Sequence, residues 1–166
     1  MSFELKPALS DADIAGIRLL AEEIWPNVFA QILPPEQIAY MMEMMYADDT
    51  LKKEIREQNI KYFIALANGK PIGYTAFGPY SNDTVKIHKL YLHPNARGNG
   101  YGRKMIEFIA ETARKQDISY LTLNVNRHNT NSTAIYKKLG FTIEKSIDNN
   151  IGNNFYMNDF IMAMPL

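Results

Sequence analysis

The amino-acid sequence predicts an α/β domain of the α+β type, in which a mixed, mostly antiparallel sheet of six to seven strands carries helices on both faces. Residues 10–58 show helical spacing of apolar side chains, whereas shorter, strand-like apolar runs begin at residue 62. The first of these runs follow one another across short turns, which is typical of antiparallel neighbours. A strand–helix–strand unit over residues 85–125 then interrupts this order and favours one parallel pair.

The N-terminal third is predicted to be a short strand followed by two or three helices. Phe3–Lys6 alternates apolar and charged residues and stops at Pro7, which indicates a strand. Ser10 and Asp13 have the spacing of a capping box at the start of the first helix, and Pro26 is expected to kink or end that helix. Two further helices are expected to begin at Pro34-Pro35 and at Asp48-Asp49-Thr50, the latter extending through Gln58.

The remaining sequence predicts a three-strand meander, two helices and three more strands. Asn68-Gly69 is typical of a hairpin turn, and Gly140 lies where a helix C-terminal glycine belongs. The predicted strands are Tyr62–Ala67, Pro71–Tyr80, Val85–Leu92, Tyr120–Val125, Phe141–Ile147 and Phe155–Met164. The predicted helices are Arg103–Gln116 and a shorter one that runs from Asn129 or Asn131 to Leu139.

Length and composition limit the class of protein. The 166 residues are near the usual size of one domain, so a single domain over residues 1–166 is expected. Basic and acidic residues both number 18, and a net charge of zero argues against nucleic acid or a membrane surface as partner. Cysteine is absent, which excludes thiol catalysis and Cys-ligated metals. Met1–Lys6 has no signal sequence and no apolar run reaches about 20 residues, so we expect a cytoplasmic protein.

A glycine-rich segment between a predicted strand and a predicted helix is the most informative part of the chain. Gly98, Gly100 and Gly102 allow a tight turn and a close approach of a ligand to the backbone. The helix that follows offers unpaired N–H groups and a partial positive charge, and Arg97 and Arg103 add donors for phosphate oxygens. The spacing matches neither a Walker A loop nor a dinucleotide fingerprint. A surface turn without a ligand is the alternative.

Two motifs in this part of the chain resemble those of the GNAT superfamily of N-acetyltransferases. The first family signature, Arg/Gln-x-x-Gly-x-Gly/Ala after the fourth strand, stands here as Arg97-Gly98-Asn99-Gly100-Tyr101-Gly102. The second, Asn…Ala-x-x-Tyr…Gly-Phe, is nearly met by Asn129, Ala134-Ile135-Tyr136 and Gly140-Phe141. The resemblance covers the whole domain and is sharpest over residues 87–141. It implies the GNAT fold and an enzyme that uses acetyl-coenzyme A.

The resemblance also implies a binding site for the co-substrate. In this family acetyl-coenzyme A lies where the fourth and fifth strands diverge, so the backbone of Leu90, Tyr91 and Leu92 is expected to pair with the pantetheine arm. The pyrophosphate is expected on the amides of the glycine loop, and a backbone N–H near Leu92 is expected to polarise the thioester carbonyl. Asn129 matches a cofactor-contacting asparagine, and a plain N-cap is its alternative role. The loop residues concerned are Gly98, Asn99, Gly100, Tyr101, Gly102 and Arg103.

The catalytic groups follow from the same resemblance, with one departure from the family pattern. Tyr136 matches the tyrosine that protonates the departing thiolate, and packing beside Leu139 is its alternative role. Many relatives carry a glutamate base on the fourth strand, but Val85–Leu92 contains no acid. His88 stands at a suitable position for a base, and a route through water is the main rival. Tyr91 and His93 are weaker candidates, and no metal site is expected.

The acceptor is predicted to be a small primary amine such as a polyamine. A diffuse likeness to the bacterial spermidine/spermine N-acetyltransferases supports this, as do acids near the expected entrance, Glu36, Glu43, Asp48 and Asp49. Met44 is expected to point away from the apolar face of its helix, where it could line a pocket. Protein or peptide N-termini, antibiotics and a non-catalytic role as an acyl-coenzyme A-binding regulator are alternatives. Whether the protein forms a homodimer is left open.

Overall fold

A computed structural model describes residues 2–166 as one seven-stranded sheet with helices on both faces. The strands are β1 (Phe3–Pro7), β2 (Lys61–Ala67), β3 (Lys70–Pro79), β4 (Thr84–Leu92), β5 (Tyr120–Asn126), β6 (Thr142–Gly152) and β7 (Phe155–Pro165). The helices are α1 (Asp11–Phe29), α2 (Pro35–Tyr46), α3 (Asp48–Arg56), α4 (Tyr101–Arg114) and α5 (Thr130–Leu139). The strand order is β1-β2-β3-β4-β5-β7-β6, and only β4 and β5 pair in parallel. The predicted mixed, mostly antiparallel sheet is confirmed.

Local signals explain where several elements begin and end. The Ser10 hydroxyl accepts a hydrogen bond from the Asp13 N–H while the Asp13 carboxylate accepts one from the Ser10 N–H, so the predicted capping box is confirmed. Pro26 does not end α1, which continues to Phe29, because a proline in the last turn removes only one hydrogen bond. The side-chain cap expected at the start of α3 is absent: Ala47 occupies the N-cap.

Each face of the sheet has its own hydrophobic core. Helices α1, α2 and α3 cover one face, where Ile17 and Ile24 are fully buried in the same cluster as Tyr74. Helices α4 and α5 cover the other face, where Ile109 packs in a cluster with Leu121. Burial of each such side chain contributes about 1.5–3 kcal/mol, which fixes the helices on the sheet. None of the helices within residues 2–166 combines the length and the apolarity of a membrane span.

The parallel pair β4 and β5 separates halfway along β4. Their pairing ends at Ile87, which lies opposite Leu123, whereas β4 stays paired with β3 as far as Leu92. The separation begins at a β-bulge, since Ile87 and Lys89 face consecutive residues of β3 and His88 is the extra residue. From His88 to Leu92, the edge of β4 that faces β5 therefore has no neighbouring strand, while the other edge stays paired with β3.

Candidate active site

A cleft of about 620 Å³ opens where β4 and β5 separate, and it brings together many of the predicted site residues. Its lining includes His88, Leu90, Tyr91, Leu92, Arg97, Gly102, Asn129 and Tyr136. The other predicted cofactor-binding residues, Gly98, Asn99, Gly100, Tyr101 and Arg103, do not contribute to this lining. They belong to the loop and the first turn of α4 beyond the cleft wall.

The glycine loop presents backbone amides in open space. Gly98 and Gly100 have φ angles of +80° and +79°, and a side-chain carbon at either position would meet no atom within 4 Å. Gly100 is the N-cap of α4, and no side chain caps this helix. The N–H groups of its first turn are thus available to an anion, and the helix dipole favours one there. The Arg97 guanidinium donates a hydrogen bond to the Leu92 carbonyl at 3.2 Å, which ties the loop to the end of β4.

Two loop side chains have different surroundings. The Tyr101 ring is buried and stacks on Phe3 of β1, with ring centroids 5.2 Å apart, so this side chain anchors α4 to the sheet. Arg103 is exposed to solvent on the same turn. Tyr101 can therefore contact a ligand only through its backbone, whereas Arg103 can do so through its backbone and its side chain.

The open edge of β4 offers hydrogen-bonding groups to an extended ligand. The Lys89 carbonyl accepts a hydrogen bond from the Thr75 hydroxyl of β3, and the His93 N–H donates to the Ile72 carbonyl, so these two residues point their backbone groups towards β3. Because strand hydrogen bonds alternate in direction, the backbone groups of Leu90 and Leu92 point into the cleft. A ligand with amide groups can pair with this edge as an additional strand does.

Helix α5 contributes a tyrosine and an asparagine to the cleft. Burial raises the pKa of Tyr136 to about 12, so its hydroxyl is protonated at neutral pH. Its ring packs edge-on against Phe141 with centroids 5.8 Å apart. The Asn129 side chain accepts a hydrogen bond from the Ser132 N–H at 3.2 Å, which confirms its role as the N-cap of α5. Asn129 also lines the cleft.

His88, the predicted base, lies in the bulge of β4 and lines the cleft. Burial, together with the charges of Lys86 and Lys89, lowers its pKa to about 4. The imidazole is therefore neutral at neutral pH and is a weak acceptor for an ammonium proton.

Two acids that the sequence analysis did not consider also line the cleft. Glu54 of α3 forms a salt bridge of 3.3 Å with the buried ammonium of Lys89, and the Tyr62 hydroxyl contacts both groups. Asp159 of β7 is buried, and its Oδ1 atom is the one buried side-chain oxygen or nitrogen within residues 2–166 that has no hydrogen-bond partner. Asp159 was detectable in the sequence as the only acid of the predicted strand Phe155–Met164.

The acids expected at the entrance do not line this cleft. Glu43 and Asp48 lie on the outer surface, where Glu43 pairs with Arg18 at 3.5 Å and Asp48 pairs with Lys52 at 2.7 Å. Glu36 and Asp49 are exposed. None of the four acids therefore contributes to the cleft wall, and the helix faces that carry them are exposed to solvent.

An aromatic cluster forms one wall of the cleft. The Trp25 indole N–H lies 3.0 and 3.1 Å from the hydroxyls of Tyr46 and Tyr74, and the two hydroxyls are 2.6 Å apart. The Tyr91 ring packs on Trp25 with centroids 5.6 Å apart. Met44 lines the cleft, as expected, together with Met41 and Met45. No group of three or more His, Cys, Asp or Glu side chains in residues 2–166 is arranged for a metal ion.

Comparison with known proteins agrees with this architecture. The family model described as the acetyltransferase (GNAT) family matches residues 22–141. A spermidine N(1)-acetyltransferase of Thermoplasma acidophilum is 28% identical over 148 residues, which are 87% of this chain and 91% of that protein. An uncharacterised N-acetyltransferase of Mycobacterium tuberculosis is 23% identical over 158 residues, 95% of this chain and 99% of that one.

Solved structures have the same fold. The PaiA N-acetyltransferase of Thermoplasma acidophilum in complex with coenzyme A superimposes with a TM-score of 0.84 and 26% identity, covering all of both chains. The ribosomal-protein-S18-alanine N-acetyltransferase of Escherichia coli shares the fold with a TM-score of 0.72 and 18% identity, covering 99% of this chain and 94% of that one. The family match spans well over half of the sequence and agrees with the sheet, the glycine loop and the cleft. The chain belongs to the GNAT family and is an N-acetyltransferase.

Proposed function

We propose that this protein transfers the acetyl group of acetyl-coenzyme A to the primary amine of a small cationic acceptor of the polyamine class. The observation that carries the proposal is one cleft that joins an unpaired strand edge, Leu90–Leu92, to the uncapped N-terminus of α4. These are the two groups that a pantetheine arm and a pyrophosphate require, an amide-pairing edge and an anion site.

The co-substrate would extend along β4 with its pyrophosphate at the glycine loop. The backbone groups of Leu90 and Leu92 would pair with the pantetheine amides, and the amides from Gly98 to Arg103 would bind the pyrophosphate. Arg97 would add a charged donor, and Asn129 would contact the arm while it caps α5. The complex of the PaiA relative with coenzyme A supports this assignment.

The transfer itself would be a direct attack of the amine on the thioester. The amine nitrogen forms a bond to the carbonyl carbon, and the developing oxyanion accepts a hydrogen bond from the Leu92 N–H. The carbon–sulfur bond then breaks, and Tyr136 donates to the departing thiolate. A phenol with a pKa of about 12 holds its proton more tightly than a thiol with a pKa of about 8.5, so a hydrogen bond to the thiolate comes before proton transfer.

The cleft walls suit a short, flexible cation. Trp25, Phe29 and the methionines of α2 supply apolar contact for methylene groups, and Glu54 and Asp159 supply negative charge. The spermidine acetyltransferase relative supports the same acceptor class. His88 stays the predicted base with water as its rival, although its low pKa limits what it can contribute.

Free-thiol release from acetyl-coenzyme A across a panel of acceptors tests the proposal. The panel contains spermidine, spermine, propylamine, amino acids, an aminoglycoside and a peptide with a free N-terminus. We expect kcat/KM to be highest for the polyamines. A peptide or an amino acid that exceeds spermidine would overturn the acceptor class, and thiol release without acetylated product would indicate hydrolysis only. Coenzyme A binding without acceptor-dependent release of free thiol would favour the alternative role as a non-catalytic acyl-coenzyme A-binding regulator.

A further inference from the structure

Asp159 is the acid of the cleft that forms no salt bridge, whereas Glu54 pairs with Lys89. It lies on β7 opposite Asn126 of β5, on the sheet face that also carries Lys86 of β4. Its relative exposure is 6%, and its Oδ1 atom has no hydrogen-bond partner although it borders the cleft. A buried carboxylate oxygen without a partner is costly, and such an atom at the wall of a binding cleft indicates that the partner comes from the ligand.

We propose that Asp159 binds the ammonium group of the acceptor inside the cleft and takes its proton before the attack on acetyl-coenzyme A. This assignment rests on the proposed function and names the residue that selects a cationic acceptor and activates it. Glu54, the other acid of the cleft, is committed to Lys89 and Tyr62. The neutral His88, between Lys86 and Lys89, lacks the negative charge that would attract a cation.

The proton balance is simple. An ammonium ion gives one proton to the Asp159 carboxylate and becomes a neutral amine, whose lone pair forms the new bond to the thioester carbon. The carbonyl electrons move to oxygen and return as the carbon–sulfur bond breaks. The nitrogen then loses a second proton, so that one proton ends on the coenzyme A sulfur and the other passes from Asp159 to water. No further reactant is required.

The charged groups around Asp159 set its ionisation. Burial raises the pKa of this carboxyl, whereas Asn124 of β5, Lys86 of β4 and Arg127 after β5 oppose that rise. Arg127 is itself held by Asp148 of β6 at 2.7 Å. The other titratable groups that line the cleft are Tyr91, Tyr136, His88, Glu54, Lys89 and Arg97. A raised pKa makes Asp159 a better proton acceptor than an ordinary surface carboxylate.

Asp159→Asn tests the assignment because it keeps the shape of the side chain and removes the charge. We expect kcat/KM for spermidine at neutral pH to fall roughly 10²- to 10⁴-fold, the usual contribution of a positioned base. The deficit should shrink as the pH approaches the pKa of the acceptor, since a free amine needs no base. It should also be small for a fluorinated ethylamine, which is largely neutral at neutral pH. Coenzyme A affinity should be unchanged.

Two further variants keep the test decisive. Asp49→Asn removes an equal charge from the exposed first turn of α3 and should leave kcat/KM unchanged. In the parent, kcat/KM should fall at low pH as the Asp159 carboxylate takes up a proton. Asp159→Glu keeps a carboxylate and should show the same fall at a lower overall rate. A folded Glu variant without this fall would overturn the assignment. An Asn variant that is active within about twofold of the parent at all pH values, or equally impaired with both amines, also overturns it. No activity of the parent with any amine would instead overturn the proposed function.

Discussion

The two halves of the cleft are built from different parts of the chain. The half proposed for the cofactor consists mainly of one continuous segment, residues 88–103, to which Asn129 is added, and it offers mainly backbone groups: the edge of β4 and the first turn of α4. The acceptor half consists of side chains from α1, α2, α3, β5 and β7, which are distant in sequence. Backbone groups stay the same when side chains are substituted, so the first half can keep one co-substrate. The acceptor half is made of side chains, so a single substitution there can change which acceptor binds.

Tyr136 lies at the junction of the two halves, and loss of its hydroxyl should have a large effect on the turnover number. Tyr136→Phe keeps the packing against Phe141 and removes only the hydroxyl. We expect kcat to fall roughly 10²-fold, with little change in KM for either substrate, because a donor to a developing charge acts mainly in the transition state. Steady-state kinetics measure kcat and both KM values, and single-turnover rates show whether the chemical step limits kcat.

Two matched variants separate Tyr136 from the neighbouring tyrosines. Tyr91→Phe removes a second hydroxyl from the cleft lining, and Tyr156→Phe removes an exposed one outside it. Both should retain most of the turnover number. If Tyr91→Phe is the slower enzyme and Tyr136→Phe is unaffected, the acid belongs to β4 and Tyr136 only packs.

The cofactor half is tested by a pair of glycines with the same backbone conformation. Gly100→Val and Gly69→Val both place a β-branched side chain at a φ of +78° to +79° in open space, so both should lose similar stability. Only Gly100 is at the start of α4. We expect Gly100→Val to bind coenzyme A about 10- to 100-fold more weakly, the value of one or two charge-assisted hydrogen bonds.

Calorimetric titration with coenzyme A and with a pantetheine fragment measures this difference. The fragment lacks the pyrophosphate and should bind both variants equally. Equal coenzyme A affinity of the Gly100 and Gly69 variants would contradict the anion site at this helix.

The contrast between the halves also explains what the sequence could predict. The proposed cofactor half is local, and a strand, three glycines and an amphipathic helix in a row were sufficient to predict it. The element order was also predicted, because apolar periodicity changes from helical to strand-like near residue 61. The pairing order that places β7 between β5 and β6 has no local signal.

The two acids of the acceptor half, Glu54 and Asp159, could not be predicted as cleft residues because the residues of this half are distant in sequence. The search for an acid was confined to Val85–Leu92, whereas Asp159 reaches the cleft only because β7 pairs with β5. The lowered pKa of His88 likewise depends mainly on its burial in the folded protein, to which the charges of Lys86 and Lys89 add. Glu36 and Glu43 were expected near the entrance, but they do not line the cleft. Helical spacing shows which residues of α2 share a face, and it does not show which of these faces borders the cleft.

Asp159 should also reduce the stability of the protein. Its pKa is raised in the folded state from an ordinary value of 3.8. The cost of charging it is therefore absent below pH 3.8, grows as the pH rises from there to the folded-state pKa, and is constant above that pKa. We expect Asp159→Asn to be more stable than the parent at neutral pH, by on the order of 1 kcal/mol, because the variant buries no charge and one pKa unit corresponds to about 1.4 kcal/mol. Denaturant unfolding at several pH values measures this gain, which should disappear towards pH 3.8.

Salt should affect the two halves unequally, and this is the smallest expected effect. The cofactor half faces solvent through Arg97 and Arg103, and its ligand is a polyanion, so KM for acetyl-coenzyme A should rise several-fold between about 0.01 and 0.1 M ionic strength, as the Debye length falls from about 30 to 10 Å.

For the acceptor the change should be smaller, about twofold or less for spermidine and none for propylamine, because buried charges are screened less than exposed ones. Asp159 is buried, and the outer acids Glu43 and Asp48 are paired with Arg18 and Lys52. Initial rates at fixed saturation of the other substrate give both constants. A spermidine KM that rises more steeply than that of acetyl-coenzyme A would mean that unpaired surface acids, such as Glu36, guide the polyamine. In that case the negative charge that selects the acceptor lies outside the cleft, and Asp159→Asn should leave KM for spermidine unchanged.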